Sequence, residues 1–530
     1  MSNRIPTIAD ALSAQASALS RRSLLRLGLT GSAALLAPAM LTRAGWAQTA
    51  GGTLRIGADA DPIGMDPTKL TAFSSYDFTA LIYTGLLRWN AAMEIEPDLA
   101  LSYDSPDDTT YIFTLRQGVK FHNGQDFTAE DVKFTFDRII DPDFGSPRRV
   151  QFADLREVTV IDPFTVRFDL HQPSAPFLAY LASNPNGSII PQGAEGLDDA
   201  PVGTGPFKFE AYQPNVEYSL TANEDYYEEG LPYLERVVFR FYRDQATLLS
   251  ALRSRAIDMT WVKDPRVATP VVRTSPDLVS APGQTTRTFP VWMNLKAAPF
   301  DDVRVRRALS LATDRTACVQ TVLAGAGKVG AMIPESHVGG WDGTGALPYY
   351  EHDIDAAKAL LAEAGYPDGI DLGEYIVVAA NPLDVACAQI MQQQWAAAGI
   401  AVRINPMETA PLLAMWREGT FPTLLSVALA WNPDADAILS FLNSEGDFGR
   451  ALGMDDTELD SMLTAARAEL DLEARAEMHM DIQRHIADNA YLLQIYQYPL
   501  RWELWWNSVQ GYVPLSANIR SFVRKTWLST

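Results

Sequence analysis

The chain has 530 residues, 47% hydrophobic and 20% charged, an ordinary globular composition with room for about three domains of typical size. Its 43 Lys and Arg against 65 Asp and Glu give a formal charge of −22, which argues against nucleic acid or an anionic membrane surface as a partner. Two cysteines in the whole chain exclude a disulfide framework and a Cys-rich metal site.

The N-terminal segment reads as an address. Ser20-Arg21-Arg22-Ser23-Leu24-Leu25-Arg26 sets paired arginines before Gly28 to Leu41, which is apolar or small throughout. That stretch is shorter than the roughly 20 residues a membrane-spanning helix needs. Gly45 and Ala47 then supply the small residues that a signal peptidase site requires. Residues 1–47 resemble a twin-arginine (Tat) signal peptide cleaved after Ala47. An uncleaved membrane anchor is the alternative, disfavoured by Gly28, Thr30, Gly31 and Ser32 in the apolar stretch. Cleavage removes Arg4, Arg21, Arg22, Arg26 and Arg43 with the single acid Asp10, so the mature chain is more acidic still. No later stretch is apolar enough to span a membrane. The expectation is an exported periplasmic protein that is not membrane-embedded.

Beyond the signal, Thr53 to Ile56 reads as a strand. Tyr111–Arg116, Thr165–Leu170, Glu217–Ala222 and Arg236–Tyr242 alternate with period two, and their short connections predict antiparallel sheet. Thr128 followed by Asp131 predicts a capped helix start. After about residue 295 the character changes. Asp301-Asp302 predicts a long helix from Val303 to about Leu323, and Asp355–Ala364 a helix ended by Gly365. Glu374–Ala380, Leu383–Ala398 and Ile400–Ile404 read as strand, helix and strand, a βαβ unit with parallel pairing. Leu412–Glu418 and Thr423–Leu429 repeat the pattern. Two acidic helices follow, over about 456–469 and 472–487, and then a strand from Tyr491 to Tyr498.

Catalytic and cofactor motifs are sparse. Gly325-Ala326-Gly327-Lys328-Val329-Gly330 matches G-x-G-x-x-G but follows a predicted helix instead of a strand, so it reads as a helix end and loop. The histidines at 122, 171, 337, 352, 479 and 485 form no metal-binding pair, and His479 and His485 do not share a helix face. No nucleophile elbow occurs. Cys318 and Cys387 sit in apolar helix faces and are expected to be free, buried thiols. No catalytic residue, metal or cofactor is expected, and nothing requires an enzyme.

Several segments in order carry a resemblance. They are Pro97-Asp98-Leu99-Ala100, Tyr111–Arg116, Gly118-Val119-Lys120-Phe121-His122-Asn123-Gly124, and Phe127–Val132. Pro201–Phe207, Asn294, Pro299–Leu309, Ala312–Arg315, Ala356–Tyr366 and Val509–Tyr512 continue it to the C-terminus. Together they resemble the extracellular solute-binding proteins of ABC importers, family 5, the dipeptide, oligopeptide and nickel-complex group. These motifs read as scaffold: His122 as structural, and Gly203 and Gly205 as tight turns at a lobe boundary.

The resemblance implies an α/β fold, a two-lobed periplasmic binding protein (class II, cluster C type) with an extra subdomain in lobe I. Lobe I maps to 48–85, 200–290 and 500–530, the subdomain to 86–199 and lobe II to 291–499. The implied function is capture of a peptide or peptide-like solute between the lobes, as a monomer, for delivery to an ABC permease and ATPase complex. A sugar, an opine or a metal complex is the alternative ligand, and a secreted hydrolase the remote alternative.

Ligands favour such clefts. Candidate ligand-binding residues are Ser74, Ser75 and Tyr76 after the first strand, Trp261, and the loop carrying Trp431, Asn432, Asp434 and Asp436 after a lobe II strand. Each aromatic has a second reading as core packing, and Asp434 or Asp436 as a helix cap. In the ligand reading Trp431 supplies a flat wall and Asp434 or Asp436 a charge for a ligand ammonium. This loop is shorter than that of the family's dipeptide binders, so the acid that pairs with a peptide amino terminus has no secure match.

Overall fold

The computed structural model describes residues 51–529 apart from 284–286, 344–345, 431–433, 500 and 515–519. The predicted signal, Ala47, Trp431 and Asn432 lie outside the described residues.

Alternating burial builds the first large sheet. In Thr53–Ala58, Leu54, Ile56 and Ala58 are sealed from solvent while Thr53 and Arg55 are only half-buried. The strand order is Leu278–Pro282, Trp502–Trp506, Met259–Val262, Thr53–Ala58, Arg236–Phe241, Glu217–Ala222 and Phe207–Gln213. The last three strands form the expected antiparallel meander, but Arg236–Phe241 also pairs parallel with Thr53–Ala58, so this sheet is mixed. A separate antiparallel sheet runs Ala100–Asp107, Thr110–Leu115, Thr165–Leu170 and Leu155–Asp162. The helix Ala129–Ile140 packs on it, and its start carries the predicted capping box between Thr128 and Asp131.

The second large sheet runs Lys328–Val329, Leu492–Tyr498, Arg287–Met293, Leu424–Ser426, Ile370–Val378 and Ile400–Met407. Ile370–Val378, the helix Pro382–Ala397 and Ile400–Met407 form the predicted parallel unit. This sheet begins at Arg287, ahead of the boundary expected at 291. Cys318 and Cys387 are fully buried free thiols in its core, and Cys387 is held above the ordinary thiol range by burial and a hydrogen bond with Cys318.

Two predicted elements divide. The helix expected over 303–323 is two, Val303–Leu311 and Arg315–Val322. Thr313 Oγ1 donates to the Leu309 carbonyl at 2.8 Å and accepts from Trp395 Nε1 at 2.8 Å, while the Asp314 carboxylate accepts from the Ala317 amide and starts a new helix. The strand expected over 423–429 is two short pieces, Leu424–Ser426 and Leu429–Ala430. The glycine-rich segment at 325–330 does follow a helix end, but contains the short strand Lys328–Val329.

The chain passes between the two large sheets twice, from Leu278–Pro282 to Arg287–Met293 and back from Leu492–Tyr498 to Trp502–Trp506. Cations sit over aromatic rings beside both passages. The Arg287 guanidinium lies 5.2 Å from the Tyr498 ring centre and that of Arg501 4.6 Å from the Trp261 ring centre.

His122 is structural, as expected. Its Nδ1 accepts from the Gly203 amide at 3.4 Å and its Nε2 lies 3.0 Å from the Gly205 carbonyl, which fixes a neutral tautomer. Burial lowers its pKa to about 4. Gly203 and Gly205 serve a purpose other than the predicted turns. A Cβ at Gly203 would lie 2.1 Å from the Ile82 carbonyl oxygen, and one at Gly205 2.6 Å from the same peptide group, so close backbone approach demands glycine.

Candidate functional site

A cavity of about 650 Å³ opens between the lobes. Tyr76, Arg148, Gln151 and Tyr180 form one wall, and Asp436, Phe441, Phe448, Arg467, Arg475 and His479 line the other side. A smaller cavity of about 200 Å³ lies at the ends of the Thr53–Ala58 and Met259–Val262 strands, lined by Asp59, Ser74, Asp77, Trp261, Lys263 and Arg501.

The predicted residues fall into four groups. Tyr76 lines the large cavity, and its hydroxyl accepts from Arg148 Nη2 at 2.7 Å. Ser74 and Trp261 line the small one. Ser75 is fully buried and faces neither cavity: its Oγ accepts from the Ile63 amide at 2.7 Å and donates to the Ile63 carbonyl at 3.0 Å, bracing that loop. Asp434 and Asp436 are each bound to an arginine of the same lobe.

Asp434 is 6% exposed and forms a two-pronged pair with Arg475, Nη1 and Nη2 each 2.8 Å from a carboxylate oxygen. Burial opposes the charge, yet Arg475 and the Asp436 amide together hold the Asp434 pKa below the ordinary carboxylate range. Asp434 does not line the large cavity; Asp436 does. Asp436 ion-pairs with Arg467 and accepts from the Tyr180 hydroxyl at 2.9 Å. The helix Leu472–Asn489 places Arg475 and His479 one turn apart, facing the cavity together. His479 donates Nδ1–H to the Val338 carbonyl at 2.7 Å, and burial lowers its pKa.

Arg467 also reaches the opposite lobe. Its Nε and Nη2 lie 2.9 Å and 2.7 Å from Asp154 Oδ2, and its carbonyl accepts from the Ala175 amide at 2.8 Å. Ala437 packs against the core of the small antiparallel sheet. The lobes are therefore in contact across the cavity rim. In the small cavity, Asp59 pairs with Lys263 at 2.7 Å and Asp77 with Arg501 at 2.8 Å.

Sequence reasoning missed Arg148, Arg467 and Arg475. The arginines lie on a loop and in helices with no local motif, and Asp154 and Arg467 stand 313 positions apart.

Comparison with known proteins bears on this geometry. Residues 94–450 match the family described as "Bacterial extracellular solute-binding proteins, family 5 Middle". The chain belongs to that family. Among its curated relatives, Di/tripeptide-binding protein 2 of Pseudomonas aeruginosa is 29% identical, over 95% of this chain and 98% of its own length. Among solved structures, the ABC transporter-associated periplasmic binding protein DppA of Helicobacter pylori, in complex with the peptide STSA, is 26% identical with a TM-score of 0.78. It covers 91% of this chain and 99% of its own. AgaA from A. tumefacien R10, in complex with agropinic acid, is 28% identical with a TM-score of 0.76, over 90% of this chain and 99% of its own. The large sheets and the small antiparallel sheet are thus those of the two-lobed α/β fold of a family 5 binding protein. Among the described residues no helix is long and apolar enough to cross a membrane.

Proposed function

We propose that this family 5 protein captures a peptide or peptide-like solute in the cavity between its lobes and, as a monomer, hands it to an ABC permease and ATPase complex. The observation that carries this reading is the cavity of about 650 Å³, walled by side chains of both lobes. Its volume suits a ligand of a few residues. The relative named for di- and tripeptides and the neighbour solved with STSA support the peptide class. The neighbour solved with agropinic acid supports an opine as the second reading. The chain acts as a binder, with no chemistry performed on the solute.

Native mass spectrometry of protein purified without refolding identifies retained solute, and calorimetry with that compound measures its affinity. A retained peptide supports the first reading and a retained sugar–amino acid conjugate the second. Turnover of a peptide library by the purified protein would overturn the binder assignment.

Export is the second part of the proposal. The paired Arg21-Arg22 and the Gly45–Ala47 site support Tat-dependent delivery to the periplasm and a mature start at Gln48. Arg21→Lys combined with Arg22→Lys is expected to strand the precursor in the cytoplasm. Normal export of that variant refutes the assignment.

A further inference from the structure

Three arginines and three aspartates stand around the large cavity, but they are not paired one to one; Asp447, which also lines it, pairs with Arg450. On the lobe II side, Arg475 is committed to Asp434 and Arg467 to Asp436 and Asp154. On the facing wall stands Arg148, only 7% exposed, with no carboxylate within ion-pairing distance among the described residues. Neutral groups hold it: Nη1 donates to Asn186 Oδ1 at 2.9 Å, and Nη2 to the Tyr76 hydroxyl at 2.7 Å and to the Leu70 carbonyl. Its Nε is buried without a hydrogen-bond partner. Beside it, the amide nitrogen of Asn186 and the amide oxygen of Gln151 are also buried and unpartnered.

A guanidinium is always charged, and removing it from water without an acid is costly. A protein that only needed a brace between Leu70, Tyr76 and Asn186 could use a neutral side chain. Arg148 instead keeps, in the wall of an open volume, a cation with no acid partner among the described residues. Other parts of the cavity are apolar. Phe441 and Phe448 meet edge to face with ring centres 4.9 Å apart, and Leu439 and Leu463 line the same space.

We infer that the solute carries an anionic group, a carboxylate, that ion-pairs with Arg148, and an apolar part that rests against Phe441 and Phe448. This rests on the reading of the cavity as the solute site. It reverses the polarity expected from the sequence: the acids of the Asp434–Asp436 segment are paired with arginines, and the cavity charge without an ion-pair partner among the described residues is that of Arg148.

The test compares acids with their neutral amides, first on wild-type protein. Tripeptides with a C-terminal Phe, as free acids and as C-terminal amides, are titrated by calorimetry. Phenylacetate, phenylacetamide and inorganic phosphate are compared by thermal shift. The free acid is expected to bind about 30-fold or more tightly than the amide. Phenylacetate is expected to raise the melting temperature where phenylacetamide does not. Arg148→Met should abolish both preferences and Arg148→Lys should retain part of them. Because Arg148 also braces its wall, both variants are checked by circular dichroism, and the acid–amide comparison stands without them.

The outcomes separate the two readings. Acid and amide peptides that bind wild type alike overturn the anion inference and leave peptide capture intact. Phenylacetate selectivity dependent on Arg148, with no tripeptide bound, supports the inference and overturns the peptide class. Stabilisation by phosphate but not phenylacetate replaces the carboxylate with a phosphate and overturns the inference as stated. No selectivity by either probe set overturns it outright.

Discussion

Asp154→Asn should loosen the contact that holds the lobes together. Arg467 lies between Asp154 on the subdomain and Asp436 on lobe II, with side-chain exposures of 20%, 11% and 12% respectively. An exposed ion pair contributes about 0–1 kcal/mol, and breaking a fully buried one costs about 3–5 kcal/mol. This pair falls between those limits, and Arg467 keeps Asp436 after the substitution, so no charge is stranded. The expected loss is about 1–2 kcal/mol, roughly a 5- to 30-fold fall in the ratio of closed to open molecules. Asparagine retains an oxygen for Gln172 Nε2, now 2.9 Å from Asp154 Oδ1, so the local fold should survive. Spin labels at Ile161→Cys and Leu472→Cys, positions 53% and 63% exposed, report the distance across the rim. The buried Cys318 and Cys387 will not take up label. Asp154→Asn should shift the distribution toward longer distances in ligand-free protein. An unchanged distribution, with the fold intact by circular dichroism, refutes the idea that this triad helps to hold the lobes together.

Three further outcomes follow from the described geometry. Gly203→Ala places a methyl against the Ile82 carbonyl and should destabilise by about 3 kcal/mol or more in urea denaturation; a loss under about 1 kcal/mol contradicts the close-approach reading. His122 has a folded pKa of about 4, below its unfolded value, so its contribution is complete above about pH 6.5 and fades as pH falls toward 4, by at most about 3 kcal/mol. The stability difference between wild type and His122→Gln should therefore shrink across that window, and a pH-independent difference rules the idea out. Cys318 and Cys387 should resist a thiol reagent in the native state and both react in denaturant; a single intact Cys318–Cys387 bond in purified protein contradicts the free-thiol assignment.

The elements whose pattern is local were legible in the sequence. Thr165–Leu170 and Glu217–Ala222 alternate cleanly, and the capping box at Thr128 lies within one turn. The break at Thr313 was hidden because it depends on Trp395, a partner 82 positions away. The site follows the same rule. Tyr76 and Asp436 could be placed at the cavity from the strands they follow, but the partners of Asp434 and Asp436 come from helices 41 and 31 positions downstream. Charge state, unlike position along a strand, is decided by those distant partners. A loop rich in aspartate reads as a cation site in the sequence, while in the fold Asp434 and Asp436 each pair with an arginine.

The staple formed by His122, Gly203 and Gly205 has a consequence for the order of events. It joins the subdomain to the Ile82 segment through the His122 amide donating to Gly203 and the Gly205 amide donating to Ile82, at 2.9 Å and 2.8 Å. Tyr76 and Arg148 stand on either side of that seam and are bonded to each other. Those bonds would let the two side chains move together, as one jaw, when the rim parts. On the proposed reading, an incoming solute would meet Arg148 and Tyr76 already assembled, dock on that preformed half, and only afterwards be enclosed by Phe441 and Phe448 from the other side.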